Sequence, residues 1–255
     1  MHSMDFEEFL WAEGYTSTQI EDLYRHMLNV QPLSELELRV MMEKFKDYMI
    51  LGGMPEVIEQ FIENKNFSGT LKIQRQILKD YEEEDWLSDA GIINVCHCMN
   101  LPELPLRGNY NPDIFRVYFA DTGLLIGSLD DEAQDDLRKN HNFNTYKGTI
   151  YENIVADTLK KAGYGLYFYK NEKSTVEMDF MVRDTDSLIP VEVKASDSAT
   201  ASLNNLIASE KYADIKYGIK FAAKTIGFNG DFSTFPYFLT FLLKRFLAEK
   251  AEGSK

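Results

Sequence analysis

At 255 residues, with 44% hydrophobic side chains, the chain is long enough to bury a sizeable core and to form two domains. Its 27 Lys and Arg against 41 Asp and Glu give a net charge of −14, which excludes tight, non-specific binding of nucleic acid by the surface as a whole. No apolar run is long enough to span a membrane and no secretory leader pattern is present, so the expectation is a cytoplasmic protein with no membrane association. The charge is unevenly spread. Residues 1–143 carry 12 basic and 27 acidic side chains, whereas residues 144–255 carry 15 and 14, so only the second part suits approach to a phosphate backbone.

The first part reads as helical. Phe6, Phe9 and Leu10 open an amphipathic helix, and Ile20, Leu23, Tyr24 and Met27 share one face of a second over residues 16–29. Ser34, followed three residues later by Glu37, predicts a capping box that starts a helix running through Tyr48. Gly52-Gly53-Met54-Pro55 breaks the pattern. Pro55 then opens a helix through Phe61, and residues 69–81 supply another. The acidic runs Glu82-Glu83-Glu84-Asp85 and Asp130-Asp131-Glu132 read as solvated helix faces or loops.

From Trp86 the character changes. A helix end with Gly91 as its C-cap leads into a strand over residues 92–99. Pro102, Pro105, Gly108 and Pro112 mark a loop, and residues 115–120 a short apolar strand that ends in Asp121-Thr122-Gly123. An apolar strand ending in Asp resembles the Mg2+-binding strand of an ATPase. The sequence has no G-x-x-x-x-G-K-[ST] loop, however, so no ATP site is expected. Cys96 and Cys98 flank His97 on one strand and read as reduced thiols. His2, His26 and His141 are scattered and suggest no metal set.

Residues 149–162 predict a helix on which Glu152, Val155, Ala156 and Leu159 share a stripe. Strands follow at 164–170, 175–183 and 188–195, then a helix at 201–212, a strand at 216–222 and an apolar closing segment at 235–247. Val176, Met178 and Phe180 alternate with Glu177 and Asp179, and Val191 and Val193 alternate with Glu192 and Lys194. If these strands pair, Asp179, Glu192 and Lys194 converge. Carboxylates so placed need a partner or a metal, and Mg2+ or Mn2+ suits oxygen ligands from one or two residues. Such an ion polarises a phosphoryl group, while a nearby lysine orients water or offsets developing charge. A solvated E-V-K face with ordinary surface ion pairs is the competing reading. Tyr151, Tyr167, Phe168 and Tyr169 suit base stacking, although core packing is the commoner role for such residues.

Asp179, a twelve-residue spacer and Glu192-Val193-Lys194 resemble the PD-(D/E)XK motif of restriction-endonuclease-like nucleases, with Met178 where the proline usually stands. Glu152 occupies the place of the glutamate that those nucleases carry on the helix before the sheet. The resemblance implies Glu152, Asp179, Glu192 and Lys194 as catalytic residues, with Asp179 and Glu192 as metal ligands. The segments MDFEEFLWAEG, LGGMPEVI, IQRQILKDY, WLSDAGII, PLRGN, ADTGLL, YENIVADTL and IGFNGDFSTFPYFLTFLL, in this order, resemble the C-terminal two-thirds of prokaryotic AAA-type ATPases that end in a nuclease-like domain of unknown function.

That resemblance implies an α+β chain in three parts: an acidic helical region at 1–85, a linker with remnant winged-helix-like elements at 86–143, and a restriction-endonuclease-like domain at 144–255 with a mixed sheet flanked by helices. It implies a P-loop domain before the FEEFLWA segment and further helices between KDY and WLSDAG. This chain is therefore expected to be a shortened relative without ATPase activity or a working winged helix. Expected partners are DNA or RNA through residues 144–255 and an ATPase-family protein. The chemistry expected is Mg2+-dependent phosphodiester hydrolysis; the alternatives are a non-catalytic nucleic-acid-binding, regulatory or protein-interaction module.

Overall fold

The structure is a computed structural model and describes residues 3–82, 91–139, 143–173, 175–195 and 200–253. The fold is α+β. Five helices come first: α1 (Phe6–Ala12), α2 (Ser17–Leu28), α3 (Glu35–Leu51), α4 (Pro55–Asn64) and α5 (Thr70–Glu82). Each of the first three has a capping box, formed by Asp5 with Glu8, Thr16 with Gln19, and Ser34 with Glu37. Their apolar faces, including Phe6, Phe9, Tyr24, Phe45 and Tyr48, enter one continuous core with the C-terminal residues Tyr237, Phe238 and Leu242.

Two strands follow, β1 (Ile93–Met99) and β2 (Tyr110–Phe119), then the helices α6 (Thr122–Gly127), α7 (Asp131–Arg138) and α8 (Phe143–Lys161). β2 starts earlier than the sequence suggests and contains Pro112. The β1–β2 register slips between His97 and Cys98, and β2 is the edge strand, so a proline at this irregularity costs no ladder bond. Asp130 caps α7 and puts Asp131 and Glu132 in its first turn, where the helix dipole favours acidic residues. His2, His141, residues 83–85 of the first acidic run and residues 86–90 of the WLSDAG segment lie outside the described residues.

The remaining elements are β3 (Tyr167–Lys170), β4 (Glu177–Met178), β5 (Phe180–Arg183), β6 (Leu188–Lys194), α9 (Ala201–Ile207), β7 (Gly218–Ala222), β8 (Gly227–Phe228), β9 (Phe232–Pro236), a 3-10 turn at Tyr237–Leu242 and α10 (Leu243–Gly253). They complete two mixed sheets, ordered β2-β1-β3-β4 and β5-β6-β7-β9-β8. The first sheet crosses the division expected at residue 143, because β1 pairs in parallel with β3 through His97–Tyr167 to Met99–Tyr169. Residues 91–139 are thus part of the same folded body as the C-terminal sheets.

A backbone join ties the helical region to this body. Asp121 is buried, caps α6 by accepting from the Leu124 N–H, and accepts from the Gly53 N–H at 2.6 Å. Gly52 has φ +72°, and a Cβ there would meet Asp121 Oδ1 at 2.0 Å, while one on Gly123 would meet the Leu51 carbonyl at 2.1 Å. The LGGMP and ADTG segments are therefore two sides of one contact, and Asp121 serves as a cap. Among the described residues no helix is long and apolar enough to cross a membrane.

Candidate functional site

The β5–β6 hairpin pairs Phe180 with Val191 and Val182 with Ile189. Val191 and Val193 join the core that includes Ile150, Ile154 and Val155 of α8, whereas Met181 and Leu188 pack with Leu203 and Leu206 of α9. Both faces of β6 are covered, which removes the solvated-face reading of Glu192-Val193-Lys194. Glu192 is 3% exposed. It pairs with Lys194, Nζ to Oε1 2.8 Å, and lies beside Lys220 of β7 in register. Its second oxygen, Oε2, is buried and accepts no hydrogen bond.

Asp179 stands between β4 and β5, at the seam of the two sheets. The single unpaired residue changes the alternation: Met178 packs with the α9 cluster and Phe180 with the α8 cluster, although sequence periodicity places both on one face. The Asp179 carboxylate substitutes for a missing ladder partner, with Oδ2 accepting from the Val193 N–H at 2.8 Å. Burial, followed by repulsion from Glu152, pushes its pKa up to about 7, against the opposing pull of that N–H, Arg116 and Lys194.

Glu152 reaches the seam from α8, where Val155, Ala156 and Leu159 of its stripe are buried as expected. The Tyr118 hydroxyl donates to its Oε2 at 3.3 Å. Burial raises the Glu152 pKa, and Arg116 and Tyr118 oppose the rise.

Arg116 of β2, which sequence reasoning missed, joins these groups. Its Nη1 lies 3.9 Å from Glu152 Oε2 and 4.0 Å from Asp179 Oδ1, and its Nη2 pairs with Glu177. The guanidinium lies over the Phe168 ring, 4.3 Å from its centroid. Burial works against its charge, but Tyr118, Glu152 and Glu177 outweigh that effect and raise its pKa. The one signal for it in the sequence is a lone cation within the apolar run Ile114-Phe115-Arg116-Val117-Tyr118.

The hairpin therefore sets Asp179 against the Glu192-Val193-Lys194 strand through the Val193 N–H, Glu192 pairs with Lys194, and α8 adds Glu152 beside Asp179. The three carboxylates do not close into one ligand set. Among the described residues, the set of three donor groups lying within 4.8 Å of one another is Asp22, His26 and Glu37, on α2 and α3. Lys194 links the three carboxylates instead, pairing with Glu192 and acting electrostatically on both Glu152 and Asp179. Asp179 and Glu192 each keep one carboxylate oxygen that makes no hydrogen bond to the hairpin backbone. The buried, unpartnered Oε2 of Glu192 is an open hard-oxygen ligand, and Asp179 keeps Oδ1 off the backbone bond. Tyr151, Phe168 and Tyr169 are buried, so three of the four aromatics considered for base stacking serve the core.

The arrangement defines an α+β protein with a half-buried carboxylate–lysine–arginine cluster at a sheet seam. A protein-family profile, Domain of unknown function (DUF4143), matches residues 147–237, a span that holds Glu152, Asp179, Glu192 and Lys194 but not Arg116. No curated protein and no solved structure matches the chain.

Proposed function

We propose that the chain carries a PD-(D/E)XK nuclease-like site of the kind joined to AAA-type ATPases in prokaryotes, acting on phosphodiester bonds of DNA or RNA with a divalent metal ion. The observation that carries this reading is the hairpin, which places Asp179 against the Val193 N–H of the Glu192-Val193-Lys194 strand. Asp179 and Glu192 would hold Mg2+ or Mn2+, which supplies charge stabilisation and an activated water when bound. Lys194 offsets charge on the phosphate, and Glu152, adjoining Asp179 electrostatically, is an auxiliary carboxylate. Two buried free thiols, Cys96 and Cys98, favour a reducing cytoplasm. A partner from the ATPase family fits the resemblance of the chain's ordered segments.

The second reading is a non-catalytic nucleic-acid-binding or regulatory module, favoured by Arg116, which supplies positive charge at the carboxylates without a metal. Cleavage of single- and double-stranded DNA and RNA in Mg2+ or Mn2+ separates the two. Cleavage by the wild type that Asp179→Asn and Glu192→Gln both abolish supports the nuclease. Salt-dependent binding to any of these substrates without cleavage favours the module.

A further inference from the structure

We propose that Arg116 is a built-in counter-ion of the candidate site, one that a divalent cation must displace from Asp179 before the metal can bind. The inference rests on the nuclease-like reading of the hairpin and adds to it a residue from outside the matched span. Asp179 has two oxygens. Oδ2 is committed to the Val193 N–H, so Oδ1 is the one open to a metal, and Arg116 Nη1 stands 4.0 Å from it. The same nitrogen is 3.9 Å from Glu152 Oε2.

Towards Glu152 and Asp179, Arg116 Nη1 is held by charge rather than by directional bonds. Nη1 is buried and makes no hydrogen bond, and its distances to Glu152 and Asp179 are ion-pair distances, too long for hydrogen bonds. The other end of the guanidinium is tethered: Nη2 pairs with Glu177, which Lys170 also approaches at 3.6 Å, and the plane rests on Phe168. A group anchored at one edge and unsatisfied at the other can leave Asp179 without leaving the site. Guanidinium also matches phosphate oxygens in a fork geometry, so the displaced Nη1 has a ready partner in a bound phosphodiester.

The test is Mn2+ binding to the full chain, followed by loss of the free-ion electron paramagnetic resonance signal. The proteins are wild type, Arg116→Met, Arg116→Lys and Asp179→Asn, with circular dichroism as the fold check. Arg116→Met is expected to bind Mn2+ roughly 10- to 100-fold more tightly than wild type, because a unit charge about 4 Å from the ligand oxygen is gone. Arg116→Lys, which keeps the charge, should stay near wild type, and Asp179→Asn should abolish the site. Added guanidinium ion at non-denaturing concentration should weaken Mn2+ binding to Arg116→Met. An Asp179-dependent site of equal or lower affinity in Arg116→Met would overturn the counter-ion role and leave the nuclease-like site standing. Absence of an Asp179-dependent site in wild type, Arg116→Met and Arg116→Lys alike would overturn both.

Discussion

Replacing Asp179 by Asn should stabilise the protein above neutral pH, even though it removes a candidate catalytic group. Asp179 titrates near 7 in the fold against an ordinary value of 3.8, so folding penalises its charged form. A carboxyl raised in this way favours folding fully below the unfolded pKa, and that contribution is lost as the pH rises through 7. The difference of about three pH units corresponds to about 4 kcal/mol lost between pH 4 and pH 8. Asn removes the titration and can still accept from the Val193 N–H, so the variant should gain on the order of 2–4 kcal/mol at pH 8 and almost nothing at pH 4. For a chain of this size that is a rise in Tm of roughly 5–15 °C at pH 8. Scanning calorimetry of both proteins from pH 4 to 8 measures the gap directly, since titrations common to the two largely cancel. A variant less stable than wild type at pH 8, or a gap independent of pH, would mean that burial does not penalise the Asp179 carboxylate in the fold. A candidate site that weakens its own fold is the expected pattern where function needs unbalanced charge.

Asp121→Ala removes the α6 cap and leaves the buried Gly53 N–H without an acceptor, so guanidinium denaturation should show a loss of about 2–4 kcal/mol. Burial raises both thiols, Cys96 up to about 12. A chromogenic disulfide reagent at pH 8 should therefore find neither thiol reactive in the folded chain and both reactive after unfolding; rapid reaction of Cys96 in the native state would contradict the described core.

The helical region was legible because its signals are local. Ser34 with Glu37, the Gly52-Gly53 break and Pro55 each act within one turn, and the helices begin and end beside them. The hairpin was partly legible for the same reason, since Val191 and Val193 alternate with Glu192 and Lys194 in β6, whereas the alternation read over 176–180 is broken at Asp179. Less legible was what depends on distant chain segments. The parallel pairing of β1 with β3 joins residues about seventy positions apart, so the strands expected within the linker share a sheet with β3. The break at Asp179 arises where two sheets meet, which alternation within one segment does not register. Arg116 enters the carboxylate cluster from β2, and its sequence neighbours carry no sign of Glu152 or Asp179. Pro112 suggested a loop because a proline is tolerated only at an edge or an irregularity, and strand order decides where those fall.

In the proposed function Asp179 and Glu192 hold a single cation at the β5–β6 hairpin. Calorimetric titration with Mn2+ of the wild type and of the Asp179→Asn/Glu192→Gln double variant tests it most directly, because the variant registers diffuse binding to the acidic surface. The wild type should show one saturable site that the double variant lacks. Equal, weak heats from both proteins would contradict it.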